Sequence, residues 1–279
     1  MGIAQADLRL LIELKKLGLI RTRSSVIEIG AQQLTNSFMT DREGIEEIAG
    51  LFEVSDPFPF LQPPKDSWSS RSVENVVPES PLSRCFWNWL RFRYAALDID
   101  GSEDSLPLDL NFDSVPQGAR GQFEVVTNFG TTEHVANQIN AFKMIHDFCC
   151  HNGLMIHNVP GYGMLDHGLI TYNPKFFWML GRSNGYKIVF MNYQLNDVPY
   201  SIPGDIVDYL QGFNSTVSHE RLRSRKLIDG SLVVVMQKQF DIEFVPPIDT
   251  NTGAPAPTPE IKERYWTVFE PDAFEKLCR

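Results

Sequence analysis

Leu8, Leu10, Leu11, Ile12, Leu14 and Leu17 recur at helical spacing, and Gly18 follows as a stop, so residues 5–17 are predicted to form a helix. Val26, Ile27 and Ile29 make a short apolar run that ends at Gly30, the pattern of a strand buried on both faces. Thr40 and Glu43 have the Thr-x-x-Glu spacing of a capping box. Ile45, Ile48, Ala49 and Phe52 continue at helical spacing behind it, predicting a helix from Asp41 to Leu51. Proline, serine and tryptophan then interrupt the periodicity over 53–80, which reads as a long loop or lid, and Pro81 is expected to open a helix through Trp87, Trp89 and Leu90.

Tyr94 to Gly101 is a second buried strand that ends in acids. Leu106 to Asn111 is a third extended piece. The gap between the two is too short for a helical crossover, so any strand there is an edge element reached by a loop. Phe123–Phe129 predicts a strand, and residues 135–150 a helix with Val135, Ile139, Phe142, Ile145 and Cys149 along one face. Asn152-Gly153 is the stop and Leu154–His157 the next strand, together a right-handed βαβ unit. Asn173 followed by Pro174 caps and opens a helix that runs to Asn184-Gly185, and Tyr186–Tyr193 is strand-like. Leu222–Ile228 and Leu232–Gln237 flank Asp229-Gly230, a hairpin signal, and residues 251–259 read as an irregular linker.

The 279 residues form one large domain or two small ones, with soluble-protein composition. A formal charge of −10 argues against a nucleic-acid partner, and the basic run Arg221–Lys226 reads as a solvated face. Four cysteines without metal-ligand spacing suggest a reduced compartment. Asp7, Glu13, Lys15 and Lys16 interrupt the N-terminal apolar stretch, so no signal peptide or membrane span is expected, and the protein reads as cytoplasmic.

The acids fall where a nucleoside-like ligand would want them. Asp98 closes the second strand, where a carboxylate can accept from both ribose hydroxyls, and Asp109 is placed to accept from an adenine amino group. The loop from Asn128 to His134 would line the same crevice.

In this order the parts resemble the class I S-adenosylmethionine-dependent methyltransferases. The residues that carry the resemblance are Val26–Gly30 for the first motif, Leu97–Asp100 for the acidic second strand and Asp109–Asn111 for the third motif. Phe123–Asn128 stands for the fourth strand, and Ile145–Ile156 for the helix, glycine turn and fifth strand. The resemblance implies an α/β fold: a doubly wound, mostly parallel seven-stranded sheet of the Rossmann-like methyltransferase type, its last strand antiparallel. Residues 1–240 would form that domain, with an insertion or lid at 53–93, a second insertion at 195–225 and a C-terminal extension over 241–279. S-adenosyl-L-methionine is the implied cofactor, with Glu28, Gly30, Ala31, Gln32, Asp98, Asp109, Asn128 and Gly130 as its expected contacts. The acceptor is expected to be a small polar molecule. The family-like run from His167 to Pro174, with the acidic charge, points to a sugar or sugar-derived metabolite.

Histidines cluster between His134 and His167. Histidine titrates near neutrality, so His134 or His167 is expected to take the acceptor's proton, with His157 as a neighbour. A metal site from Glu133, His134, His157 and His167 is not expected, because no two of these histidines lie at i, i+3 or i+4 of one helix. Two other readings stand beside the methyltransferase. Gly30 is followed by Ala31, Gln32 and Gln33, and this glycine-poor turn would suit a non-catalytic binding or scaffold protein on the same fold. A nicotinamide-dependent oxidoreductase would want G-x-G-x-x-G before the helix.

Overall fold

The computed structural model describes residues 2–61, 80–100, 105–161, 164, 167–195, 230–249 and 257–270. Nine strands and eight α-helices lie within them. The strands are β1 (Gly2–Ile3), β2 (Ser25–Ile29), β3 (Gln33–Leu34), β4 (Arg93–Leu97), β5 (Ser105–Leu106), β6 (Phe123–Phe129), β7 (Cys149–Pro160), β8 (Tyr186–Leu195) and β9 (Gly230–Lys238). The helices are α1 (Gln5–Lys16), α2 (Asn36–Thr40), α3 (Arg42–Leu51), α4 (Arg84–Trp89), α5 (Gln138–Phe148), α6 (Pro174–Asn184), α7 (Pro259–Arg264) and α8 (Trp266–Phe269).

Seven strands form one sheet in the order β5-β4-β2-β6-β7-β9-β8. The pairs from β5 to β7 are parallel, and β9 runs antiparallel to both its neighbours. This is the mostly parallel seven-stranded sheet with an antiparallel last strand that the methyltransferase resemblance implies. Both faces are buried, and the strand side chains alternate between two cores. Val26, Val125, Leu154, Ile156, Val233 and Val235 join the core on the side of α1, α3 and α4. Ile27, Ile29, Val126, Met155, Val234 and Met236 join the core on the side of α5 and α6. Period-two burial on both faces of continuous apolar runs is what parallel strands between helical layers require.

Local signals hold where the chain supplies its own partner. Asn173 Oδ1 accepts from Phe176 N at 3.1 Å, Pro174 occupies the first turn of α6 and Gly185 terminates it. β5 is the expected edge strand, beside β4.

Three expectations change. Thr40 is not the cap of α3: its hydroxyl donates to Asn36 O at 2.9 Å inside α2, while Asp41 Oδ1 accepts from Gly44 N at 3.0 Å and caps α3 instead. Of the face read for α5, Val135, Phe142, Ile145 and Cys149 are buried but Ile139 is 43% exposed, and Ala141, Met144 and Phe148 complete the buried side. Pro81 precedes α4, which starts at Arg84. β9 pairs with β7 on one edge and β8 on the other, and the segment 222–228 of the expected hairpin lies outside the described residues.

Described parts of the expected C-terminal extension dock on the second helical layer. Val245 N donates to Asn184 Oδ1 at 2.8 Å, and Arg182 donates to Val268 O at 3.1 Å. Among the described residues no helix is long and apolar enough to cross a membrane.

Candidate functional site

The chain leaves β2 for β4 and β5 on one side of the sheet, then returns to build β6 on the other, so the order reverses between β2 and β6. Open α/β sheets bind ligands outside the carboxyl ends of the strands at such a point. A cleft of about 340 Å³ opens there. Its walls are Gly30, Ala31 and Gln32 after β2, Asp98 after β4, Asp109 beyond β5, and Gly130, Thr131 and His134 after β6. Seven of the expected site residues therefore meet in one place.

Gly30 shapes the floor. Its φ is 81°, in the left-handed region, and a Cβ there would lie 2.2 Å from Thr131 Oγ1. The two turns at the switch point thus pack closer than a side chain allows. Gly30→Ala is expected to destabilise the fold by about 2 kcal/mol or more and to weaken ligand binding in the cleft. Urea unfolding and calorimetry check this, and a variant as stable as the parent would contradict the close packing.

Asp98 links the two strand ends. Its Oδ2 accepts from Ala31 N at 2.9 Å. A carboxylate oxygen has a second lone pair, and among the described residues Oδ1 takes only a long bond from Asp100 N at 3.4 Å, so acceptor capacity remains. Asp109 is held by an Asx turn, its Oδ1 accepting from Asn111 N at 2.7 Å, and lines the same cleft beyond β5. Gln32 Nε2 donates to Gly30 O at 3.1 Å, while its Oε1 is buried with no hydrogen-bond partner among the described residues. The turn's own amides are already engaged: Gly30 N donates to Leu97 O, Ala31 N to Asp98 and Gln32 N to Glu28.

Two expected contacts sit elsewhere. Glu28 is fully buried behind the turn, where Oε1 accepts from Trp87 Nε1 at 2.7 Å. Its Oε2 accepts from Ser83 Oγ at 2.6 Å, Tyr94 OH at 3.0 Å and Gln32 N at 3.1 Å. Burial pushes its carboxyl pKa up, and these four donors oppose the shift. Glu28 fastens α4 and β4 to the turn and does not line the cleft. Asn128 is also buried. Its Oδ1 accepts from Thr132 N at 3.2 Å and its Nδ2 donates to Thr132 Oγ1 at 2.8 Å, so it shapes the turn that carries His134.

The histidines separate by environment. His157 is buried beside Phe142 and Phe177, its Nδ1 3.2 Å from Asn128 Nδ2, and burial lowers its pKa to about 3. His146 is likewise internal, between Tyr186 OH and Ile242 O. His134 is half-exposed and lines the cleft; burial, then the charge of His167, lowers its pKa, which keeps the ring neutral and able to accept a proton. His167 comes from a distant loop to within 5.6 Å of the His134 ring. Between them lies Glu133, fully buried, its pKa raised to about 7 by desolvation. Glu133 was not expected among the catalytic or cofactor contacts; its adjacency to His134 is the one sequence signal that pointed there. The run from His167 to Pro174 serves the fold as well, with Tyr172 OH donating to Thr132 Oγ1 at 2.9 Å and Asn173 capping α6.

No known family and no curated protein sequence matches the chain. Solved structures that it resembles include a SAM-dependent methyltransferase from Archaeoglobus fulgidus, at 10% identity over 82% of this chain and 94% of that one, with a TM-score of 0.38. Another is the 1,6-didemethyltoxoflavin-N1-methyltransferase of Burkholderia thailandensis with bound S-adenosylhomocysteine, at 11% identity over 84% and 77%, TM-score 0.40. A geranyl diphosphate methyltransferase in complex with SAM gives 10% identity over 82% and 85%, TM-score 0.39.

Proposed function

We propose that the chain is an S-adenosylmethionine-dependent methyltransferase acting on a small polar acceptor. The observation that carries this reading is Asp98, an acid with acceptor capacity to spare, at the switch-point cleft of this sheet. The cleft volume of about 340 Å³ lies in the range of small-molecule sites. Asp98 would accept from the ribose hydroxyls and Asp109 from the adenine amino group, while Gln32 braces the turn between them through Gly30 O. Gly30 and Gly130 let the ligand approach the backbone.

The bound cofactor supplies an activated methyl group. The chain aligns the acceptor oxygen with it and takes the acceptor's proton at the His134 end of the cleft, with His167 behind that ring. A sugar hydroxyl is the first acceptor class to test.

Replacing Asp98 by alanine is expected to weaken S-adenosylhomocysteine binding by about 1–3 kcal/mol, the loss of charge-assisted hydrogen bonds. Calorimetric titration reads this directly. Unchanged affinity in a folded Asp98→Ala variant would refute the role and move suspicion to Asp100.

One observation favours a non-catalytic binding protein as the second reading: the amides of Gly30, Ala31 and Gln32 are spent within the fold and cannot cradle a ligand carboxylate. Turnover with a labelled methyl donor separates the two, and NAD in the same titration tests the oxidoreductase.

A further inference from the structure

We propose that Glu133, His134 and His167 bind a divalent first-row transition-metal ion at the acceptor end of the cleft. Glu133 is fully buried in the turn Thr132–His134, and neither of its carboxylate oxygens has a hydrogen-bond partner among the described residues. A buried carboxylate without a partner is costly unless something else neutralises it. The Nε2 atoms of His134 and His167 lie 3.8 and 3.6 Å from Glu133 Oε1, and the three donor atoms are all within 4.8 Å of one another. His167 Nε2 is also buried and unpartnered.

These separations are too long for hydrogen bonds, so the donors surround a gap and do not touch. Ligands of a tetrahedral ion with bonds of roughly 2.0–2.1 Å stand about 3.3 Å apart, so the two histidines need to draw in on Glu133 and on each other to close around an ion.

The arrangement is built by the backbone. Leu169 N and Ile170 N both donate to Glu133 O, at 2.8 and 3.1 Å, which clamps the loop carrying His167 onto the turn carrying His134. Gly168 makes the clamp possible, since a Cβ there would meet Glu133 Cγ at 2.9 Å. The helix-spacing rule used on the sequence does not reach this site, because its ligands come from two loops.

Two imidazoles and one carboxylate suit zinc, iron(II), cobalt(II) or manganese(II), whereas calcium and magnesium prefer oxygen alone. Three protein ligands leave a position open, and His134 already faces the cleft. An acceptor hydroxyl taking that position would lose its proton more readily; this consequence rests on the methyl-transfer reading, whereas ion binding does not.

The test uses the full chain, stripped with a chelator and titrated with cobalt(II) while visible absorption and heat are recorded. One equivalent is expected to bind, and Glu133→Gln and His167→Ala should each weaken binding by about 10²-fold or more. Far-UV circular dichroism and urea unfolding of the same variants without metal should match the parent and show that they are folded. No uptake by the parent at about 1 mM cobalt, or uptake undiminished in both variants, overturns the proposal. Cobalt uptake without any S-adenosylhomocysteine binding would uphold the site and count against the methyltransferase reading alone.

Discussion

Glu28→Ala is expected to cost about 3–5 kcal/mol of folding stability, read by urea unfolding at neutral pH. The carboxylate is the shared acceptor for Trp87 Nε1, Ser83 Oγ, Tyr94 OH and Gln32 N. Removing it orphans donors from α4, β4 and the first turn at once and leaves a cavity under the cleft floor. Asp98 lies outside this network, so a ligand should still bind the folded fraction. A loss below about 1 kcal/mol would mean the donors find other partners and that Glu28 is not the fastening of this turn.

His134→Ala should lower kcat by about 10²–10⁴-fold once an acceptor is identified, with S-adenosylhomocysteine affinity unchanged. His134 lines the cleft after β6, away from the Asp98 wall, so its removal leaves the expected cofactor contacts in place. The loss falls on kcat whether the ring takes the proton itself or holds an ion that acidifies the acceptor, because both act on the acceptor oxygen. His167→Ala should behave alike. His157→Ala is expected to act through stability, since that ring packs on Phe142 and Phe177. Near-wild-type turnover in both His134→Ala and His167→Ala would leave catalysis to alignment alone.

What the sequence could disclose was local. The strand Phe123–Phe129 and the helix Pro174–Asn184 lie where apolar pattern and capping chemistry put them, because their signals come from residues adjacent in the chain. The third strand's edge position followed from loop length. The place of Asp98 at the cleft was legible because a strand-end position in this sheet order faces the crevice, whereas Asp109 reaches the cleft from a turn beyond β5. Glu28 was misread for a tertiary reason: its donors Ser83 and Trp87 lie beyond the proline-rich stretch, and no local pattern announces that they return to it. Thr40 and Asp41 compete for one cap, and the choice went to Asp41 once α2 claimed the Thr40 hydroxyl. The Glu133–His167 meeting depends on a loop clamped by backbone bonds, which side-chain spacing cannot encode.

The most direct test of the central claim is calorimetric titration of the intact chain with S-adenosylhomocysteine. The cleft between the ends of β2, β4 and β6 predicts saturable binding at one site per chain, in about the micromolar range. No detectable heat at millimolar ligand would contradict the assignment of this cleft to the cofactor.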